Sequence, residues 1–148
     1  MTRIIVGCDH RGLDTRDKII AWCEKKGIEA VDMGPKDTES VDYTDYAFPV
    51  GERVAKSGGE EIGILICGWG NGMAIAANKV KGVRAALCTS RVQAEYARSH
   101  NNANVLVVSA EATGWGMIEE IINAFINTGF EGGRHERRMN KIAEYESC

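Results

Sequence analysis

The chain has 148 residues, 44% apolar and 26% charged, with a formal net charge of −3. That length favours one domain around one core, and the charge gives no electrostatic reason to bind nucleic acid or an anionic membrane surface. Its five cysteines (Cys8, Cys23, Cys67, Cys88 and Cys148) are irregularly spaced and contain no C-x-x-C pair, which argues against a disulfide framework or a zinc cluster.

In chain order, "RIIVGC" (3–8) predicts a buried strand, and "GLDTRDKIIAWCEKKG" a helix with Ile19, Ile20, Trp22 and Cys23 on its apolar side and Gly27 as its stop. The opening "MTRIIVGCDH" lacks the regions of a secretory signal, and no apolar run approaches the roughly 18–20 residues of a membrane span. A reduced, cytoplasmic protein is therefore expected. "IEAVDM" (28–33) predicts a second strand, followed by a loop and a helix over 44–57. "IGILIC" (62–67) is a third strand, leading through the glycine-rich "GWGNG" into a helix that runs to about Val80. "VRAALC" (83–88) and "ANVLVVS" (103–109) are the fourth and fifth strands, with "SRVQAEYARS" a helix between them. A helix over 114–128 and a polar one over 134–146 complete the chain.

Short apolar strands alternating with helices predict a parallel sheet covered on both faces. The expected fold is α/β: a single-domain, Rossmann-like three-layer αβα sandwich with five parallel strands and a C-terminal helix. The common strand order 2-1-3-4-5 would make the first and third strands neighbours, with ligands beyond their carboxyl ends. Cys8–Asp9–His10 ends the first strand and Cys67 the third. Asp9 also suits a helix N-cap, and His10 an exposed loop.

Cys67 stands before Gly68, Gly70 and Gly72, which free the backbone to turn amides toward one point ahead of a helix. Such a helix start favours a thiolate and can hold an oxyanion beside it, a pairing suited to proton abstraction alpha to a carbonyl. A small buried thiol closing a strand is the plainer alternative. "GWGNGM" does not fit G-x-G-x-x-G, no G-x-x-x-x-G-K-[ST] occurs, and Met73 stands where a cysteine phosphatase loop needs arginine. His100 lies at the amino edge, opposite Cys67, so a catalytic role there would serve a second subunit. A helix C-terminal histidine favoured by the dipole is the equal alternative. Arg134 and Arg138, four apart on one helix face, suit either a phosphate clamp or a solvated basic face.

The stretches "DHRG", "TESVDYTDYA", "GILICGWGNGMAIAANKVKGVRAALC", "HNNANVL" and "FEGGRHERR" resemble the type B ribose-5-phosphate isomerases, which are grouped with galactose-6-phosphate isomerase subunits. The likeness runs from Arg3 to about Lys141. It implies a cofactor-free and metal-free aldose–ketose isomerase acting through a cis-enediol(ate), as a homodimer, or a dimer of such dimers, with interface active sites. By this resemblance Cys67 is the proton-transfer base, and the amides around Gly68, Trp69, Gly70, Asn71 and Gly72 hold the enediolate. His100, with Asp9, opens the furanose ring, and Asn101 binds the sugar. His10, Arg134 and Arg138 hold the phosphate, and Tyr43 lines the pocket.

Four positions depart from the family pattern. Trp69 replaces a hydroxyl residue, Cys8 a serine, Arg11 a small residue, and Glu111 an arginine; Arg11 beside His10 is a candidate to restore the lost positive charge. Ribose 5-phosphate is the default substrate. Hexose 6-phosphates, tetrose phosphates and free aldoses are alternatives, and a non-catalytic sugar-phosphate-binding module is the reading from another class.

Overall fold

The structure, a computed structural model, describes residues 2–148. The apolar runs form β1 (Arg3–Cys8), β2 (Ala30–Asp32), β3 (Glu61–Cys67), β4 (Ala85–Leu87) and β5 (Val105–Ser109). Between and after them lie α1 (Leu13–Lys26), α2 (Thr44–Lys56), α3 (Asn71–Asn78), α4 (Arg91–Ser99), α5 (Trp115–Asn127) and α6 (Arg134–Glu146). All predicted elements are present, and α1 stops at Gly27 as its sequence indicates. The largest boundary differences fall on β2 and β4, which are three-residue strands at the sheet edges.

All strands are parallel, in the order β2-β1-β3-β5-β4. This corrects the expected 2-1-3-4-5: β5, not β4, lies beside β3. Burial gives the reason. Every residue of "VLVVS" is buried, whereas the three of "AAL" are only half-buried, so the more apolar strand takes the interior. The adjacency of β1 and β3 holds, with Cys8 opposite Ile66.

The strands alternate their side chains between two helical layers, as the pleat requires. Ile4, Val6, Ile64, Ile66, Leu106 and Val108 pack against Ile19 and Trp22 of α1, Ala94 of α4 and Ile121, Ile122 and Phe125 of α5. Ile5, Leu65, Val105 and Val107 face the other way, onto Val50 and Val54 of α2 and Met73 and Ala77 of α3. Helix α6 is different: only His135 is buried, and Met139, Ile142 and Glu146 border a groove shared with Asn78, Val83 and Arg84. The Gly82 N–H donates to Glu146 Oε2 at 3.2 Å, anchoring the far end of α6.

No helix among the described residues is long and apolar enough to cross a membrane.

Candidate active site

Cys67 closes β3 with its side chain 5% exposed. The chain turns at once: Gly70 has φ 90°, a left-handed conformation that glycine adopts without a Cβ penalty. A Cβ there would meet Leu87 Cδ1 at 2.4 Å. This turn brings the Gly70 N–H back onto Cys67 Sγ, to which it donates at 3.1 Å. The carbonyls of the turn are tied on the other side. Gly68 O accepts from Ser109 Oγ at 2.7 Å and from the Glu111 N–H at 2.9 Å, and Cys67 O accepts from the Ala110 N–H at 3.0 Å. With its carbonyls fixed to the end of β5, the turn holds its amides toward Cys67.

Burial nevertheless pushes the Cys67 thiol above its ordinary value. The amides of Met73, Gly70 and Trp69 pull it down by less, and the nearby Asp9 adds to the rise. The expected preformed thiolate is thus corrected. Backbone amides carry only partial charge, and they do not offset the loss of water around sulfur.

Asp9 sits beside Cys67 because β1 and β3 pair, its N–H donating to Ile66 O at 3.1 Å. It is 7% exposed, and its Oδ1 accepts the Arg11 N–H at 2.9 Å. It does not cap a helix: α1 begins at Leu13, and Gly12 at the cap position offers no side chain. His10 is half-buried rather than free in a loop, because its Nδ1 accepts the Val41 N–H at 3.2 Å. That bond leaves the Nε2–H as the outward donor of the neutral ring.

Two glycines record close neighbours. A Cβ at Gly68 would lie 2.8 Å from Arg11 Nη1, and one at Gly72 would lie 2.6 Å from Tyr43 Cζ. The Arg11 side chain therefore covers one end of the turn and the Tyr43 ring the other. Trp69 is 60% exposed and Asn71 is exposed at the first position of α3. Asp9, His10, Arg11, Tyr43 and the Cys67–Gly72 segment thus gather at the carboxyl edge.

His100, Asn101, Arg134 and Arg138 do not join them within the chain. His100 follows α4 and precedes β5, which places it at the amino edge. Asn101 borders the groove under α6, and Arg134 and Arg138 are exposed on that helix. The His100 ring stacks on His135, with centroids 4.0 Å apart and planes at 9°, and Tyr96 packs at 4.7 Å. Glu131 Oε2 lies 3.4 Å from His100 Nε2.

His100, Glu131 and His135 are the one group of three metal-type donors among the described residues, with ligand atoms within 4.8 Å of one another. Imidazole lone pairs lie in the ring planes, and two parallel rings 4.0 Å apart do not converge on one ion at about 2.1 Å. The group is built as a stack rather than a metal cage.

Sequence reasoning missed Ser109, Glu131 and His135. Ser109 resembles the last residue of an apolar strand, and His135 is masked by the arginines of "GRHERR".

A parallel αβα sandwich with a buried thiol and a glycine amide turn at its carboxyl edge defines a Rossmann-like α/β protein, with that thiol and turn at the edge where such sheets bind ligands. The sequence profile of the Ribose/Galactose Isomerase family matches residues 4–142, and the chain belongs to that family. Ribose-5-phosphate isomerase B of Escherichia coli K12 is 40% identical over 147 residues, covering 99% of this chain and 97% of that protein. The ribose-5-phosphate isomerase B of Mycoplasma genitalium, solved with bound ribulose-5-phosphate, superposes with a TM-score of 0.95 at 43% identity, covering 99% of this chain and 97% of that one. The Clostridium thermocellum enzyme gives 0.95 at 42% identity, covering 99% and 98%.

Proposed function

We propose that the protein is a ribose-5-phosphate isomerase, interconverting ribose 5-phosphate and ribulose 5-phosphate through a cis-enediolate. The observation that carries this is Cys67 Sγ at the end of β3 with the Gly70 amide 3.1 Å away. Family membership and the relative with bound ribulose-5-phosphate support the choice of sugar.

In this reading the furanose opens first. The O1–H proton passes to Asp9, the C1–O4 bond breaks with its electron pair going to O4, and O4 takes a proton from His100. Cys67, once its thiol proton has passed to solvent, removes the C2 proton as the minor thiolate form, giving an enediolate whose charge rests on O1 beside the turn amides. Cys67 returns the proton to C1, while the O2–H proton moves to O1. Asn101 and Tyr43 hold the sugar, and His10, Arg11, Arg134 and Arg138 face its phosphate. Trp69 and Asn71 border the site, which needs no cofactor for this chemistry.

The reading includes a homodimer in which His100, Asn101, Arg134 and Arg138 of one copy complete the site of the other. Its support is the separation of Cys67 and His100 between opposite sheet edges, together with the exposed Ile75, Tyr96, Ile142 and Tyr145. Five free cysteines suit a reducing, cytoplasmic setting.

Formation of ribulose 5-phosphate from ribose 5-phosphate tests the reaction. Cys67→Ala should lower kcat about 10²–10⁴-fold, and an unchanged rate removes Cys67 from the mechanism. Mixing Cys67→Ala with His100→Ala tests the shared site. Each mixed dimer regains one intact site, so activity should return to about a quarter of wild type after subunit exchange; no recovery contradicts it.

A further inference from the structure

Three segments converge on one imidazole. His100 ends α4; the Glu131 N–H donates to Ser99 O at 3.0 Å and so pins the 129–133 loop to that helix end. The chain then enters α6, whose second residue, His135, lies flat against the His100 ring. Tyr96, one turn back on α4, packs against the same ring at 51°. Glu131 faces Nε2. No hydrogen bond among the described residues engages His100 Nδ1.

His135 is the unexpected member. It is 6% exposed and the only buried residue of an otherwise polar helix. Burying an imidazole is costlier than burying a hydrocarbon of the same size, so packing alone does not call for it. What a flat ring supplies is a platform: stacked against His100 it sets the plane of that imidazole, while Glu131 sets its rotation within the plane.

We propose that His135 and Glu131 are positioning residues for His100, holding its ring so that Nδ1 faces the ring oxygen of a sugar bound to a second copy of this chain. The proposal rests on the reading that His100 opens the sugar ring. It adds that His100 is pre-aligned inside its own chain before any sugar arrives, which saves the reorientation that a free imidazole needs.

The two halves of the reaction separate the roles. Ribulose 5-phosphate is an open chain, because its 5-oxygen carries the phosphate and cannot close a furanose on C2. Solvent deuterium therefore enters its C1 through Cys67 alone, whereas conversion of ribose 5-phosphate also needs ring opening. His135→Ala should slow ribose 5-phosphate conversion about tenfold or more, as expected for a misplaced catalytic group. Deuterium entry into ribulose 5-phosphate should stay within about twofold of wild type. His135→Phe, which restores a flat ring, should recover most of the loss. Glu131→Gln should show the same pattern as His135→Ala in milder form.

Conversion unchanged in both His135→Ala and Glu131→Gln overturns the proposal, as does equal loss of both half-reactions in His135→Phe. His100→Ala separates the two levels. If it leaves ribose 5-phosphate conversion intact, the reading of His100 falls and the proposal with it. If it slows conversion while His135→Ala and Glu131→Gln do not, the proposal alone fails.

Discussion

The Ser109 hydroxyl donates to the Gly68 carbonyl at 2.7 Å and accepts the Ala112 N–H at 3.0 Å, coupling the end of β5 to the turn beyond Cys67. Ser109 and Gly68 are both buried, so the bond between them is shielded from water. Ser109→Ala leaves Gly68 O with the Glu111 amide alone. Stability should fall by about 0.5–1.5 kcal/mol, as for one lost hydrogen bond. The turn amides also lose a support, so kcat should drop while KM for ribose 5-phosphate changes little. Urea unfolding and steady-state kinetics on one preparation check both.

The Cys67 thiol is held protonated at neutral pH, since burial raises its pKa above the ordinary 9.0. Alkylation by iodoacetamide requires the thiolate. Its rate at Cys67 should therefore be slow at pH 7 and rise about tenfold per pH unit, levelling only above pH 9.0. Cys8 and Cys88 are pushed higher still, to about 12, and Cys23 to about 11, by burial. Mass spectrometry of peptides after timed labelling should find those three unmodified.

Arg11 lies over Gly68, is exposed, and pairs with no carboxylate among the described residues. Its loss costs the fold little, within about 0.5 kcal/mol for an exposed side chain. Arg11→Ala should raise KM for ribose 5-phosphate about tenfold, as for loss of one charge-assisted contact to phosphate. Equal KM in the two proteins excludes Arg11 from the anion site.

Glu61 sits between two guanidinium groups, with Arg53 bonding both of its oxygens at 3.0 Å and Arg3 one of them at 2.8 Å. The Arg53 bonds and then the Arg3 bond hold its carboxyl below the ordinary 4.5, outweighing burial. A carboxyl lowered in the folded state stabilises the fold above the unfolded value, and this is lost as pH falls through the folded value. The wild-type Tm should accordingly drop on acidification below pH 4.5. Glu61→Gln should melt about 4 °C lower at pH 7 and lose less on acidification.

The interior of the fold was legible because β1, β3 and β5 are continuous apolar runs whose burial is dictated by composition alone. Their lateral order was not. "AAL" and "VLVVS" both predict strands, and only the completeness of burial shows which one lies inside. The placement of Cys67 and Asp9 at the carboxyl edge was legible because Cys67 ends β3 and Asp9 directly follows β1. The protonation of Cys67 was hidden, since it depends on how much water the folded turn excludes. Glu131 and His135 were hidden for another reason: they meet His100 only because α6 folds back over the amino edge, and no local spacing records that contact. Asp9 as a cap failed on geometry, because the helix starts four residues later, at Leu13.

The strand order also has a temporal meaning. β4 pairs only with β5, which follows it in the chain and separates it from the three earlier strands. During synthesis from the amino end, β1, β2 and β3 emerge able to pair at once, whereas β4 leaves the ribosome before its only sheet neighbour exists. The Cys67 turn waits in the same way, because Ser109, Ala110 and Glu111 supply the bonds to its carbonyls. A nascent chain ending before β5 thus carries the Cys67 thiol without the frame that shapes its turn, and that frame arrives only with the last quarter of translation.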